Sequence, residues 1–263
     1  MKKSLVIALL YAFILIPVSG VWGLSVEEIV SKANLASYYG GDDGAARARM
    51  KITDSQGRIR EREFTILRKD VEEGGRQYYY VYFHKPGDIR KTVFMVHKRP
   101  DGDDDRWLYL PALDLVKRIA AADKRTSFVG SHFLYEDVSG RSIAADTHTL
   151  KEETGEQWVL DNVPRDPGSV EFARYLIWID KKTFLPVKAE YYNSQGKVYR
   201  RIEALEVREI DGIPTVTESK VQDLNTGGTT VMTFTRIKYN QGISDGIFTE
   251  RYLRNPPRKY IRR

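Results

Sequence analysis

Ala46-Arg47-Ala48-Arg49-Met50-Lys51-Ile52-Thr53 is the stretch that decides the fold class. Ala46, Ala48, Met50 and Ile52 fall on one side of a period of two. Arg47, Arg49, Lys51 and Thr53 fall on the other. Successive side chains of a strand point to opposite faces, so this pattern predicts a half-buried β-strand. Working outward, similar stretches recur at 58–68, 76–85, 90–98 and 106–110, then at 156–160, 171–180, 186–193, 198–207, 213–223 and 229–239. Turn-forming runs separate them, among them Ser55-Gln56-Gly57, Glu73-Gly74-Gly75, Ser194-Gln195-Gly196, Asp211-Gly212 and Thr226-Gly227-Gly228. Many strands joined by short turns predict one antiparallel sheet, strongly curved or nearly closed.

Two strands are apolar on both faces. Tyr175, Ile177 and Ile179 oppose Leu176 and Trp178, and Val81 and Phe83 oppose Tyr78, Tyr80 and Tyr82. A sheet with one face in water alternates cleanly, so both faces are expected to be covered there, by helices, a long loop or a neighbouring subunit. One helix is predicted ahead of the strands. Ser25-Val26-Glu27-Glu28 has the form of a capping box, Val26, Ile29, Val30 and Ala33 recur at helical spacing, and Gly40-Gly41 ends the pattern.

The start of the chain reads as a targeting signal. Met1-Lys2-Lys3 is basic, 5–18 is almost wholly apolar, and Ser19-Gly20-Val21-Trp22-Gly23 supplies small residues. The apolar run is shorter than the ~20 residues of a spanning helix. A cleaved secretory signal over 1–23 is expected, with 24–263 as a single domain. The sequence has no cysteine, so a lipid anchor on an N-terminal cysteine is excluded and the fold uses no disulfide. The formal charge is +6, and much of the excess lies in Arg251, Arg254, Arg258, Lys259, Arg262 and Arg263. That tail reads as a solvated end or as a contact for anionic headgroups or an acidic partner face. It has no dense basic block interleaved with stacking aromatics, so nucleic acid is not the expected partner.

Signatures of chemistry are weak. Asp101, Asp103 and Asp105 have the spacing of the first calcium ligands of an EF-hand, but Arg106 stands where the loop needs glycine and Ala112 where it needs the bidentate glutamate. His84, His97, His132 and His148 are scattered and form no zinc motif. His132 is close in sequence to Tyr135, Glu136 and Asp137, but no nucleophile elbow, P-loop or dinucleotide fingerprint accompanies it. Neither an enzyme nor a cofactor is expected.

The stretch 103–141 adds a resemblance. Trp107-Leu108-Tyr109-Leu110-Pro111-Ala112-Leu113 and Arg118-Ile119 precede Ser127-Phe128-Val129-Gly130-Ser131-His132-Phe133-Leu134-Tyr135-Glu136-Asp137. In order and spacing these two blocks resemble the LolA-like outer membrane lipoprotein-sorting protein family, with His132 where the family wording has aspartate. The resemblance is dense over 86–141. It implies a strongly curved, incomplete antiparallel β-barrel, with an N-terminal helix and short helices and loops over its open concave side. It further implies a periplasmic carrier or chaperone for lipoprotein acyl chains or free lipid. Such a carrier works between an inner-membrane transporter, RND/MMPL-like or ABC-type, and an outer-membrane acceptor. The rival reading is an accessory β-sheet subunit that docks onto the transporter.

Under the resemblance, candidates for the apolar cavity and its cover are Val81, Phe83, Trp107, Tyr109, Leu110, Phe128, Phe133, Leu134, Tyr135, Ile177 and Trp178. Pro111, Arg118, Gly130, Ser131, Glu136 and Asp137 carry the motif as structure. Glu136 and Asp137 are expected to hold loop geometry, because an unpaired buried carboxylate is costly.

Overall fold

The computed structural model describes residues 23–261, and the expected signal segment lies outside them apart from Gly23. Helix α1 (Val26–Tyr38) begins at the capping box. Ser25 Oγ accepts the Glu28 N–H at 3.2 Å, and the Ser25 N–H donates to Glu28 Oε2 at 2.7 Å.

Thirteen antiparallel strands follow, in one sheet. They are β1 (Asp43–Thr53), β2 (Ile59–Asp70), β3 (Gln77–Lys85), β4 (Val93–Lys98), β5 (Asp105–Leu110) and β6 (Leu115–Ile119), then β7 (Asp146–Glu153), β8 (Gln157–Pro164), β9 (Arg174–Asp180), β10 (Pro186–Tyr192), β11 (Val198–Ile210), β12 (Ile213–Asp223) and β13 (Thr229–Tyr239). The order is β6-β5-β4-β3-β2-β1-β13-β12-β11-β10-β9-β8-β7. Two meanders therefore meet where β1 pairs with β13, with Met50 opposite Met232. Strands β6 and β7 are the two edges and do not pair with each other, so the curved sheet does not close into a barrel.

The chain between β6 and β7 must travel from one edge of the sheet to the other. It does so across the concave side as a strap, 120–145, that includes helix α2 (Tyr135–Ser139). Phe128 of the strap is fully buried and meets the rings of Phe64, Phe83, Phe94 and Tyr135 at centroid distances of 6.2, 5.8, 5.5 and 5.5 Å. With Met50, Ile52 and Val81, these rings fill the concave face of β1–β4. The opposite face of that half is covered too. Ile243, Ile247, Phe248 and Leu253, the last in helix α3 (Glu250–Arg254), pack on Leu67, Tyr80, Met95 and Trp107. The two-sided apolar pattern of β3 thus has both covers inside one chain: strap within, C-terminal segment without. The basic tail is in part a packed element, with Leu253 and Ile261 of helix α4 (Arg258–Ile261) turned inward and Arg251, Arg254, Arg258 and Lys259 left exposed.

Candidate functional site

The other half of the concave face stays open because its inward residues are small. Gly44 and Ala46 on β1, Ala189 on β10 and Ala204 on β11 face Ala33 and Ser37 of α1. A cavity of about 480 Å³ remains between α1, the strap and the inner faces of β1 and β8–β13. That is within the roughly 300–1,000 Å³ usual for small-molecule sites. Larger apolar groups complete the wall, chiefly Ile177, Ile202, Met232, Phe234 and Ile237. Ile143, on the rim, is exposed.

Charged groups on the wall already have partners. Arg68 donates to the carbonyls of Tyr38, Gly40 and Gly41, the last two at 2.6 Å, tying the end of α1 to β2. Arg141 binds Asp146 at 2.9 Å and Glu136 at 3.3 Å. Lys188 turns its amine away from the cavity, over the outward ring of Trp178, and pairs with Glu190 at 2.8 Å. His148 Nδ1 lies 2.6 Å from Asn162 Oδ1, and its Nε2 lies 2.8 Å from the Ile143 carbonyl. The lining is therefore apolar in area and neutral in effect, suited to a hydrocarbon and poorly suited to a free ionic group.

The strap is held by a buried ionic network. Glu136 accepts from Arg125 at 2.5 Å, and Arg125 also forms a forked pair with Glu171 at 2.6 and 2.7 Å. Asp137 pairs with Arg200 and accepts the Leu134 N–H at 2.6 Å. Lys98 Nζ donates to the carbonyls of Ser139 and Gly140, and burial pushes this amine down to about 8. Ser127 Oγ donates to the Ser131 carbonyl at 2.6 Å, Ser131 Oγ accepts the Phe133 N–H at 3.1 Å, and Gly130 has a φ of +74°. That left-handed conformation suits glycine.

Phe128, Phe133, Glu136, Asp137 and Ile177 lie along the cavity wall. Other candidates lie elsewhere, and for those on β5 and β9 strand pleat is the reason. Trp107 and Tyr109 point to the outer face, under the C-terminal segment, while their neighbour Leu108 turns inward. Leu110 leads from β5 into the Pro111–Leu113 turn and is not on the wall. Val81, Phe83 and Tyr135 belong to the packed cluster around Phe128, and Leu134 is likewise off the wall. Trp178 faces outward beneath Lys188 Nζ, 4.2 Å from its ring centre. Arg118 lies over Trp107 and pairs with Asp105 at 2.5 Å.

Sequence reasoning missed the walls supplied by α1, β10–β11 and β13. Their signal was small residues at inward strand positions, which leave volume where aromatic residues would fill it.

His132 does not form an acid/base cluster with its sequence neighbours. Its Nδ1 lies 2.8 Å from Thr230 Oγ1, burial lowers its pKa, and Glu136 and Asp137 turn to arginines. Asp105 is likewise engaged by Arg99 and Arg118. Among the described residues no cluster of three or more His, Asp or Glu could hold a metal, and no helix is long and apolar enough to cross a membrane.

This architecture has known counterparts. A family model described as "uncharacterized protein"-like matches residues 75–255, more than half of the chain. A DUF1329 family protein from Desulfovibrio piger is similar at 27% identity, with a TM-score of 0.78 over 86% of this chain and 95% of that one. A domain named for outer membrane lipoprotein sorting, from Vibrio parahaemolyticus, is similar at 27% identity and a TM-score of 0.77, over 86% of this chain and 97% of that one. The LolA superfamily protein NE2245 from Nitrosomonas europaea shares the fold at 19% identity and a TM-score of 0.67, over 88% and 100% of the two chains. No curated protein matches the chain significantly. The chain belongs to the family matched over residues 75–255, and it shares its fold with the LolA superfamily protein.

Proposed function

We propose that this protein is an exported carrier that holds an acyl chain of a lipid or lipoprotein in its concave cavity. The observation that carries the reading is the cavity itself: about 480 Å³, apolar, with its charges internally paired. Each methylene withdrawn from water contributes ~0.8 kcal/mol, so a hydrocarbon chain has a strong drive into such a space. The likeness to a lipoprotein-sorting domain supports the same use and a place in the periplasm. Residues 24–263 would act as one lipid-binding unit after removal of 1–23. The cargo would pass between an inner-membrane transporter, RND/MMPL-like or ABC-type, and an outer-membrane acceptor, with no catalytic step.

Mass spectrometry of organic extracts from gently purified protein tests this reading. Stoichiometric co-purifying lipid is expected. Lipid-free protein that also fails to take up a fluorescent fatty acid would leave the second reading, an accessory subunit docking onto the transporter.

A further inference from the structure

We propose that the β5–β6 hairpin and the C-terminal helices form a docking edge for an anionic lipid bilayer, a surface independent of the cavity. The hairpin apex carries Leu113, the most exposed large apolar side chain among the described residues at 71%, and Leu115 at 45%. Neither is needed for the fold, since the hairpin's packing comes from Trp107, Tyr109 and Val116.

Asp114, between the two leucines, would oppose an anionic surface. It is neutralised from within the molecule. Arg254 of α3 places Nε 2.9 Å from Asp114 Oδ1 and donates to the Asp114 carbonyl at 3.1 Å, and the Tyr109 hydroxyl donates to the same carboxylate at 3.2 Å. These bonds lower the Asp114 pKa and fix the apex to the C-terminal segment. Val116 of the hairpin and Tyr252 and Tyr260 of the helices pack on one cluster, so the apex and the helices move as one piece.

With Asp114 offset, the remaining charge is positive on balance, with Glu250 at the start of α3 as the opposing carboxylate. Lys117, Arg251, Arg258 and Lys259 are exposed and meet no carboxylate among the described residues. Apolar side chains beside unpaired cations are the composition of an interfacial membrane contact, where apolar insertion and attraction to anionic headgroups add. An apex of two leucines is too small for a stable protein interface, which buries about 1,200–2,000 Å². A bilayer needs no complementary pocket.

The test is co-sedimentation of the purified protein with phosphatidylglycerol-containing vesicles and with pure phosphatidylcholine vesicles, at low and high salt. Stronger binding to the anionic vesicles, weakened by salt, is expected. Leu113→Ser with Leu115→Ser should weaken binding by about tenfold or more. Lys117→Gln with Lys259→Gln should clearly reduce the preference for anionic lipid, and adding Arg251→Gln and Arg258→Gln should abolish it. These variants should retain uptake of a fluorescent fatty acid, which separates this surface from the cavity. Vesicle binding unchanged by the serine pair, or equal binding to both vesicle types, would overturn the proposal. So would absence of vesicle binding, including the case where an isolated acidic protein surface is bound instead.

Discussion

Gly140, at the end of α2, lies flat against the ring of Tyr38, the last residue of α1. A β-carbon on Gly140 would stand 2.6 Å from Tyr38 Cζ, and the Gly140 φ is +78°. The strap and the helix that bound the cavity thus touch where only glycine fits. Gly140→Ala should destabilise the fold by about 1–3 kcal/mol, from clash and left-handed strain together. Gly57→Ala separates the two, because Gly57 has the same φ with nothing within 4 Å of the added carbon. Thermal unfolding should show a clearly larger loss for Gly140→Ala, and equal losses would mean that the Tyr38 contact yields freely.

Phe128 anchors the strap in the filled half of the trough. Phe128→Ala removes a fully buried ring and should cost about 3–5 kcal/mol, read from denaturant unfolding. A loss under 1 kcal/mol would show that the strap is only loosely seated.

Arg200 and Asp137 pair across the strap and β11 with little exposure. Removing one partner leaves a buried charge, so Arg200→Met alone should cost about 3–5 kcal/mol. Adding Asp137→Leu should recover part of that loss, because the stranded carboxylate is gone. A double variant worse than the sum of the singles would contradict this account.

Two groups give stability a pH dependence of known sign. Lys98 titrates near 8 when folded, because of burial, against an ordinary 10.5. The unfolded chain therefore holds more protons between those values, and stability should rise with pH from about 8 toward 10.5. Lys98→Met should remove this rise while lowering stability overall, since two strap carbonyls lose their donor. His84, half-buried beside Arg47, is pushed down to about 4 by burial first and by that arginine second. Its contribution is complete above 6.5 and is lost as pH falls through 4, so His84→Gln should resist acid better. Urea midpoints measured across pH check both slopes.

The sheet was legible in the sequence because its central strands bury one face or both. Ile213–Asp223 and Thr229–Tyr239 match their predicted bounds, and the capping box at Ser25 starts α1. The strands that escaped were the two edges. Leu115–Ile119 and Asp146–Glu153 are mostly exposed and charged, with no inward row to mark a period, as suits strands that must not pair further. The strap was read from its motif, but which wall residues face the cavity depends on pleat and register. Trp107 and Leu108 are neighbours on opposite faces, and nothing local decides which of them is inside. The C-terminal cover was hidden because its arginines dominate the composition, while its packing rests on a few scattered apolar residues, among them Ile243, Phe248, Leu253 and Ile261.

The most direct test is to fill the cavity. Ala46 lies on its β1 wall, and Ala46→Trp should occupy the space while preserving a cooperative unfolding transition. Titration with a fluorescent fatty acid should give saturable binding to the native protein, displaced by lipid, and at least about tenfold weaker binding to Ala46→Trp. No saturable binding to the native protein, or equal binding to both, would contradict a carrier that holds its cargo in this cavity.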